Sequence, residues 1–147
     1  MIQGRGAQAH ADMAKRVLIV DDDYNYCFTL AQVVRTQGHE VDEAATGEEA
    51  VKLCAEQDYN IVLLDVHLLG IDGVETFRRI RQHLDVVRVI LMSAHSRDGI
   101  MDEAINDGVM AVLDKPVDIE QIFKLIGEAQ AFLINATWPT PLDRAGL

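Results

Sequence analysis

The sequence predicts an α/β fold, a parallel sheet covered by helices on both faces. Three observations point to it. Short, continuous apolar runs recur along the chain, as in strands buried on both faces. Segments with helical apolar spacing lie between them. The links are short, and alternating β and α segments with short links pack as a parallel sheet. The 147 residues are one domain's worth, because domains cluster near ~100–150 residues. With 49% hydrophobic residues, a buried core forms without metal or disulfide staples.

The elements follow in order. Val17-Leu18-Ile19-Val20 is a β-branched run and reads as the first strand. Phe28, Ala31 and Val34 form one helical stripe, and Gly38 stops that helix. His39 to Ala44 reads as the second strand. Thr46-Gly47-Glu48-Glu49 is a capping-box pattern that opens a helix to about Gln57. Ile61-Val62-Leu63-Leu64 is the third strand, and Gly73 to about His83 is a helix with Val74, Phe77 and Ile80 inward. Val89-Ile90-Leu91-Met92 is the fourth strand, followed by a helix from about Asp98 to Asp107 that ends at Gly108. Ala111-Val112-Leu113 is the fifth strand. Ile119, Ile122, Phe123 and Ile126 lie at i, i+3, i+4 and i+7 of a last helix. Residues 1–15 read as a mobile leader and 135–147 as a tail or truncated linker, leaving 16–134 as the domain.

Composition excludes several roles. The 24 acidic and 13 basic residues leave a net charge of −11, whereas a free-standing nucleic-acid binder carries a basic footprint. No apolar run approaches the ~20 residues of a membrane span, and residues 1–14 lack the apolar core of a secretory signal. Cys27 and Cys54 are the only cysteines and have no metal spacing, which predicts a reduced, cytoplasmic setting.

The chemistry lies where the apolar runs end. The first strand ends in Asp21-Asp22-Asp23, the third in Asp65, the fourth in Ser93, and Lys115-Pro116 follows the fifth. In an open parallel sheet, ligands bind outside the C-terminal strand ends, so these distant residues converge on one edge. Two like charges at ~4 Å repel by ~4 kcal/mol at an effective dielectric near 20, so clustered carboxylates call for a cation. All-oxygen ligands with few carboxylates suit Mg²⁺, which keeps several waters and often binds phosphate. Ser93 and Lys115 would then supply a donor and a charge to phosphoryl oxygens.

Val20-Asp21-Asp22-Asp23, the stretch from Asp65 to Gly73, Met92-Ser93-Ala94 and Lys115-Pro116 together resemble the receiver domain of two-component response regulators, over about Arg16 to Ala129. The resemblance implies a flavodoxin-like doubly wound sheet of strand order 2-1-3-4-5. It implies that Asp65 is the phosphoacceptor, a carboxylate that forms an acyl phosphate. Asp22 and Asp65 would ligate Mg²⁺ directly, Asp21 through water, and the His67 backbone carbonyl would be a further ligand. Ser93 would bond a phosphoryl oxygen, Lys115 would pair with the phosphoryl group, and the Lys115–Pro116 bond would be cis. The implied partners are a histidine kinase or phosphotransfer protein and an unidentified downstream protein, with no direct contact to nucleic acid or membrane.

The chain departs from the family pattern at three places. Leu68-Leu69 stands where Met-Pro is usual, so the loop after Asp65 loses a rigid proline. Val112 stands where an aromatic ring is usual, which removes the common rotamer switch and shifts the expected output route to the segment after Ser93 and the following helix. His67 and His95 lie two residues after Asp65 and Ser93, positions that flank the phosphoryl group in similar proteins and tune its hydrolysis. Plainer readings suit other residues. Asp23 reads as a solvated helix start, Asp72-Gly73 as a turn, Cys27 and Cys54 as packing residues, and His39 and His83 as surface residues. The Arg78-Arg79-Ile80-Arg81 cluster reads as a solvated helix face or a contact for an acidic partner, and Trp138 stands alone in the tail.

The resulting expectation is a signalling switch that catalyses only its own phosphorylation and dephosphorylation. The alternative is a Mg²⁺-dependent phosphohydrolase of the haloacid dehalogenase type. That family uses Asp-x-Asp, and here Asp65-Val66-His67 lacks the second carboxylate. Too few residues follow Phe132 for a helix-turn-helix, so the expected setting is a single-domain regulator, a phosphorelay shuttle or sink, or a receiver cut from a larger regulator or hybrid kinase.

Overall fold

A computed structural model describes residues 15–83, 87–94 and 99–135. Strands β1 (Arg16–Val20), β2 (Glu40–Ala44), β3 (Ile61–Asp65), β4 (Arg88–Ser93) and β5 (Ala111–Asp114) alternate with helices α1 (Tyr24–Arg35), α2 (Gly47–Glu56), α3 (Gly73–His83), α4 (Gly99–Asn106) and α5 (Ile119–Asn135). All neighbouring strands are parallel, in the order β2-β1-β3-β4-β5. The order reverses beside β1, and that switch point lies between β1 and β3.

Side chains alternate across the sheet, as the two-residue period of a strand requires. Leu18, Val20, Val62, Leu64, Val89 and Leu91 pack on one face with Ala50 and Cys54 of α2, Val74, Phe77 and Ile80 of α3, and Ala104 of α4. Val17, Ile19, Ile61, Leu63, Ile90 and Met92 pack on the other with Cys27, Leu30, Ala31 and Val34 of α1 and Ile122 and Ile126 of α5. Burying each such aliphatic side chain contributes about 1.5–3 kcal/mol, which makes the central strands the rigid frame. Both cysteines are buried packing residues, and burial pushes their thiols up to about 12.

Three sequence expectations change. Phe28 does not line the core: Cys27 takes its place on the buried stripe, and Phe28 is 45% exposed and stacks on Tyr24 with ring centroids 6.1 Å apart. Cys27, Leu30, Ala31 and Val34 form the buried face of α1, and Phe28, the next position round the helix, points outward. The arginines of α3 are not simply solvated. Arg78 pairs with Glu103 and Asp107 at 3.4 Å each, Arg79 pairs with Glu75 at 2.8 Å, and Arg81 lies over the Phe77 ring and donates to the Asp107 carbonyl at 2.9 Å. These contacts tie the end of α4 to α3.

His39 is the third. It precedes β2 instead of starting it and is half-buried, with its Nδ1 accepting from the Lys15 backbone N–H at 3.2 Å. The adjoining Lys15 carbonyl accepts from Glu40 N–H, which brings β1 and β2 together at their start. Burial, and then the Lys15 charge, hold the His39 imidazole below its usual value. A histidine whose folded pKa is depressed stabilises the fold above its unfolded pKa and loses that contribution as pH falls. The His39 contribution is therefore expected to fade as pH drops below about 6.5, read as the narrowing difference between thermal melts of the parent and of a His39→Asn variant. An identical profile in the variant contradicts the assignment.

Candidate functional site

The pairing register explains how the strand-end residues meet. Val20 is level with Leu64, Asp65 with Met92, and Ser93 with Asp114. Asp21 and Asp65 therefore leave adjacent strands at the same height, on the face that α1 and α5 cover. Their side chains are almost fully buried, while Asp22 is exposed. One oxygen from each of Asp21, Asp22 and Asp65 lies within 4.8 Å of the others. These are hard oxygen donors close enough to share one ion, so the residues present fit a hard divalent cation.

Lys115 closes the cluster. Its Nζ donates to Asp21 Oδ2 at 2.8 Å and lies 3.5 Å from Asp65 Oδ2. Burial works against the ammonium, but the hydrogen bond to Asp21 and the charges of Asp21 and Asp65 outweigh it and raise the Lys115 pKa. Asp65 is pushed above the usual carboxylate range by burial first and the Asp21 charge second. Lys115 and the His67 N–H, which donates to Asp65 Oδ1 at 3.2 Å, oppose that shift, and Asp22 adds to it. The acidic group thus carries more negative charge than its one described ammonium neutralises.

Ser93 is fully buried at the end of β4, and its carbonyl accepts from Lys115 N–H at 2.9 Å, which holds the ends of β4 and β5 together. The Lys115–Pro116 peptide bond is cis. His67 is exposed on the loop after Asp65, and His95 lies outside the described residues. Val112 pairs with Leu91 on β4 and packs half-buried against the core on the α2–α4 face.

Asp23 is the N-cap of α1. Its side chain accepts from Tyr26 N–H at 3.1 Å, and its own N–H donates to Asp21 Oδ1 at 2.9 Å. The third acid of the run thus organises the helix start and leaves the first two for the pocket. Asp72 plays the same part for α3, accepting from Glu75 N–H at 2.9 Å. Gly73 is required by close approach: a Cβ there would lie 2.6 Å from Val66 Cα, so any other residue forces α3 away from the end of β3.

Tyr26 was not legible as a site residue. Lys115 Nζ sits 4.6 Å from the centre of its ring, and its hydroxyl accepts from Val117 N–H at 2.9 Å. One side chain on α1 therefore holds both the ammonium and the chain that follows it. A tyrosine in the first turn of an amphipathic helix carries no sequence signal of that duty; only the packing of α1 against the end of β5 reveals it.

Among the described residues no helix is long and apolar enough to cross a membrane. Comparison with known proteins agrees with the geometry. Sporulation initiation phosphotransferase F of Bacillus subtilis (strain 168) is 32% identical over 110 residues, covering 75% of this chain and 89% of that protein. The CheY-like response regulator receiver domain protein from Methanospirillum hungatei JF-1 superposes with a TM-score of 0.77 at 26% identity, covering 80% of this chain and 94% of that one. The response regulator TrrA from Thermotoga maritima, solved with Mg²⁺-BeF, gives a TM-score of 0.69 at 29% identity, covering 78% and 98%. The chain spans about a quarter of the length of the longer transcriptional regulatory proteins it also matches. The family described as the response regulator receiver domain matches residues 17–127, and with its acidic strand ends at the switch point of a 2-1-3-4-5 sheet, the chain belongs to that family.

Proposed function

We propose that this receiver domain takes a phosphoryl group onto Asp65 from a phosphohistidine on a histidine kinase or phosphotransfer protein. The observation that carries the reading is the meeting of Asp21, Asp22 and Asp65 within 4.8 Å with Lys115 beside them, in a family that includes a relative solved with Mg²⁺-BeF. An Asp65 oxygen attacks phosphorus, the P–N bond to the donor imidazole breaks, and that nitrogen keeps the electron pair and takes up a proton. Lys115 neutralises phosphoryl oxygens, and Ser93 offers its hydroxyl to one of them. Asp21, Asp22, Asp65 and the His67 carbonyl would hold Mg²⁺, which neutralises charge at the carboxylates and the transferring group. The protein acts as a switch and not as a dedicated enzyme, in the cytoplasm, with 16–134 as the functional unit. The haloacid dehalogenase alternative has no support from the site, because His67 stands where its second acid would be.

Incubation with Mg²⁺ and acetyl phosphate is expected to add one phosphoryl group, located by mass spectrometry on the peptide containing Asp65. Uptake on another residue, or undiminished uptake in a chelator, overturns the reading. The neighbouring acids separate by role. Asp22→Ala is expected to weaken Mg²⁺ binding by tenfold or more. Asp23→Ala is expected to leave metal binding nearly unchanged and to cost about 1 kcal/mol in stability through the lost cap. Equal Mg²⁺ titrations of the two variants contradict the division.

A further inference from the structure

The loop from Val66 to Asp72 carries the His67 carbonyl and lacks the proline usual in similar chains. Its base is well held: Val66 N–H donates to the Met92 carbonyl at 2.9 Å and Gly73 N–H to the Val66 carbonyl at 2.8 Å. Val66 and Leu68 also pack into the core, but farther out Leu69 is 77% exposed and gives the loop no anchor. What meets it there is a side chain of α2. The Glu48 carboxylate accepts from Ile71 N–H at 3.3 Å. It also lies against Gly70, where φ is +80° and a Cβ would come 2.9 Å from Glu48 Oε2 and 3.1 Å from Oε1. The approach of α2 to this loop is itself tight, because a Cβ at Gly47 would lie 2.7 Å from Ile71 Cγ1. Glu48 reaches the loop only because Gly47 lets the start of α2 come this close and Gly70 leaves room for the carboxylate.

We infer that Glu48 is a positioning residue: it pins the Gly70–Ile71 turn and so holds the loop that presents the His67 carbonyl to the cation, in place of a rigid proline. The inference rests on the phosphoacceptor reading above. Glu48 belongs to another element and is not one of the three carboxylates that meet at the candidate metal site, so its effect there is through the loop. An exposed carboxylate in the first turn of a helix also interacts with the helix dipole, and its charge adds to the field at the acidic group. A glutamine keeps the acceptor oxygen and loses both of those effects, so it separates positioning from charge.

The test uses the whole chain, with Mg²⁺ alone as the probe. Mg²⁺ affinity is read by calorimetry, and amide exchange at Ile71 and the loop by nuclear magnetic resonance. Glu48→Ala is expected to speed Ile71 exchange by fivefold or more and to weaken Mg²⁺ binding about threefold, while the melting temperature falls by no more than the loss of a first-turn charge accounts for. Glu48→Gln is expected to match the parent protein in both. If Glu48→Gln behaves like Glu48→Ala, charge is the cause and the inference falls. It falls equally if Glu48→Ala leaves exchange and affinity unchanged. Failure of the parent protein to bind Mg²⁺ or to be phosphorylated at Asp65 overturns the phosphoacceptor reading instead, a result that Ile71 exchange does not affect.

Discussion

An Asp65→Asn variant is expected to take up no phosphoryl group from acetyl phosphate, yet to melt at a higher temperature than the parent protein. The two effects have one cause. Asp65 is nearly buried, faces Asp21 and Asp22, and has a pKa above the usual carboxylate range for that reason. A carboxylate with a raised folded pKa binds its proton more tightly in the folded state. Its ionisation therefore costs stability at every pH above the unfolded value near 3.8, and the fold regains that stability as pH falls. Asparagine removes the charge, keeps the shape and still accepts from the His67 N–H. Like charges at ~4 Å repel by ~4 kcal/mol at an effective dielectric near 20, and Lys115 at 3.5 Å offsets part of this. A net gain of about 1–2 kcal/mol is expected, seen as a rise of several degrees in a divalent-free melt. Added Mg²⁺ should narrow the gap, because it stabilises the parent more. A melting temperature equal to or below the parent's removes the charge argument, and continued labelling of the variant removes the acceptor assignment.

The opposite sign is expected at Lys115. Lys115→Met keeps an apolar stem against Tyr26 and deletes the ammonium. That leaves the Asp21 carboxylate, with a side chain 0% exposed, without its 2.8 Å partner. Breaking a buried pair by removing one member costs about 3–5 kcal/mol; the Lys115 side chain is 20% exposed, which places the expected loss near 3 kcal/mol at the lower end of that range. Denaturant unfolding without divalent ions measures it. Adding Asp21→Asn should restore most of the loss, since the stranded charge is then gone. The raised Lys115 pKa adds a pH limit: its contribution is fully present below the unfolded value of 10.5 and disappears as pH rises through the higher folded value. A loss under 1 kcal/mol, or no recovery in the double variant, shows that the pair is not what holds Asp21.

Much of this molecule was legible in one dimension. Short apolar runs such as Ile61-Val62-Leu63-Leu64, rich in branched residues and bounded by polar ones, mark strands buried on both faces because both sides of the two-residue period meet the core. Thr46 with Glu49, Gly38 and Gly108 mark helix ends because backbone groups there need a cap or a positive φ. The candidate site residues Asp21, Asp22, Asp65, Ser93 and Lys115 could be named in advance because each ends or closely follows a strand, and parallel strands deliver their ends to one edge. What the sequence lacks is the direction of a side chain within an element and the identity of its neighbour across elements. Phe28 and Cys27 differ by one helical step, and only the way α1 is rotated against the sheet decides that Cys27 faces inward. His39 reads as polar surface until Lys15 N–H is seen to need its ring nitrogen. Tyr26 over Lys115 and Glu48 at Ile71 join residues of different elements, and such contacts depend on how close two packed elements come. Local periodicity and strand ends were set by the sequence alone. The close approach of packed elements, at Gly47 and Gly73, was decided by tertiary packing, because a Cβ at either position would meet a neighbouring element inside van der Waals distance.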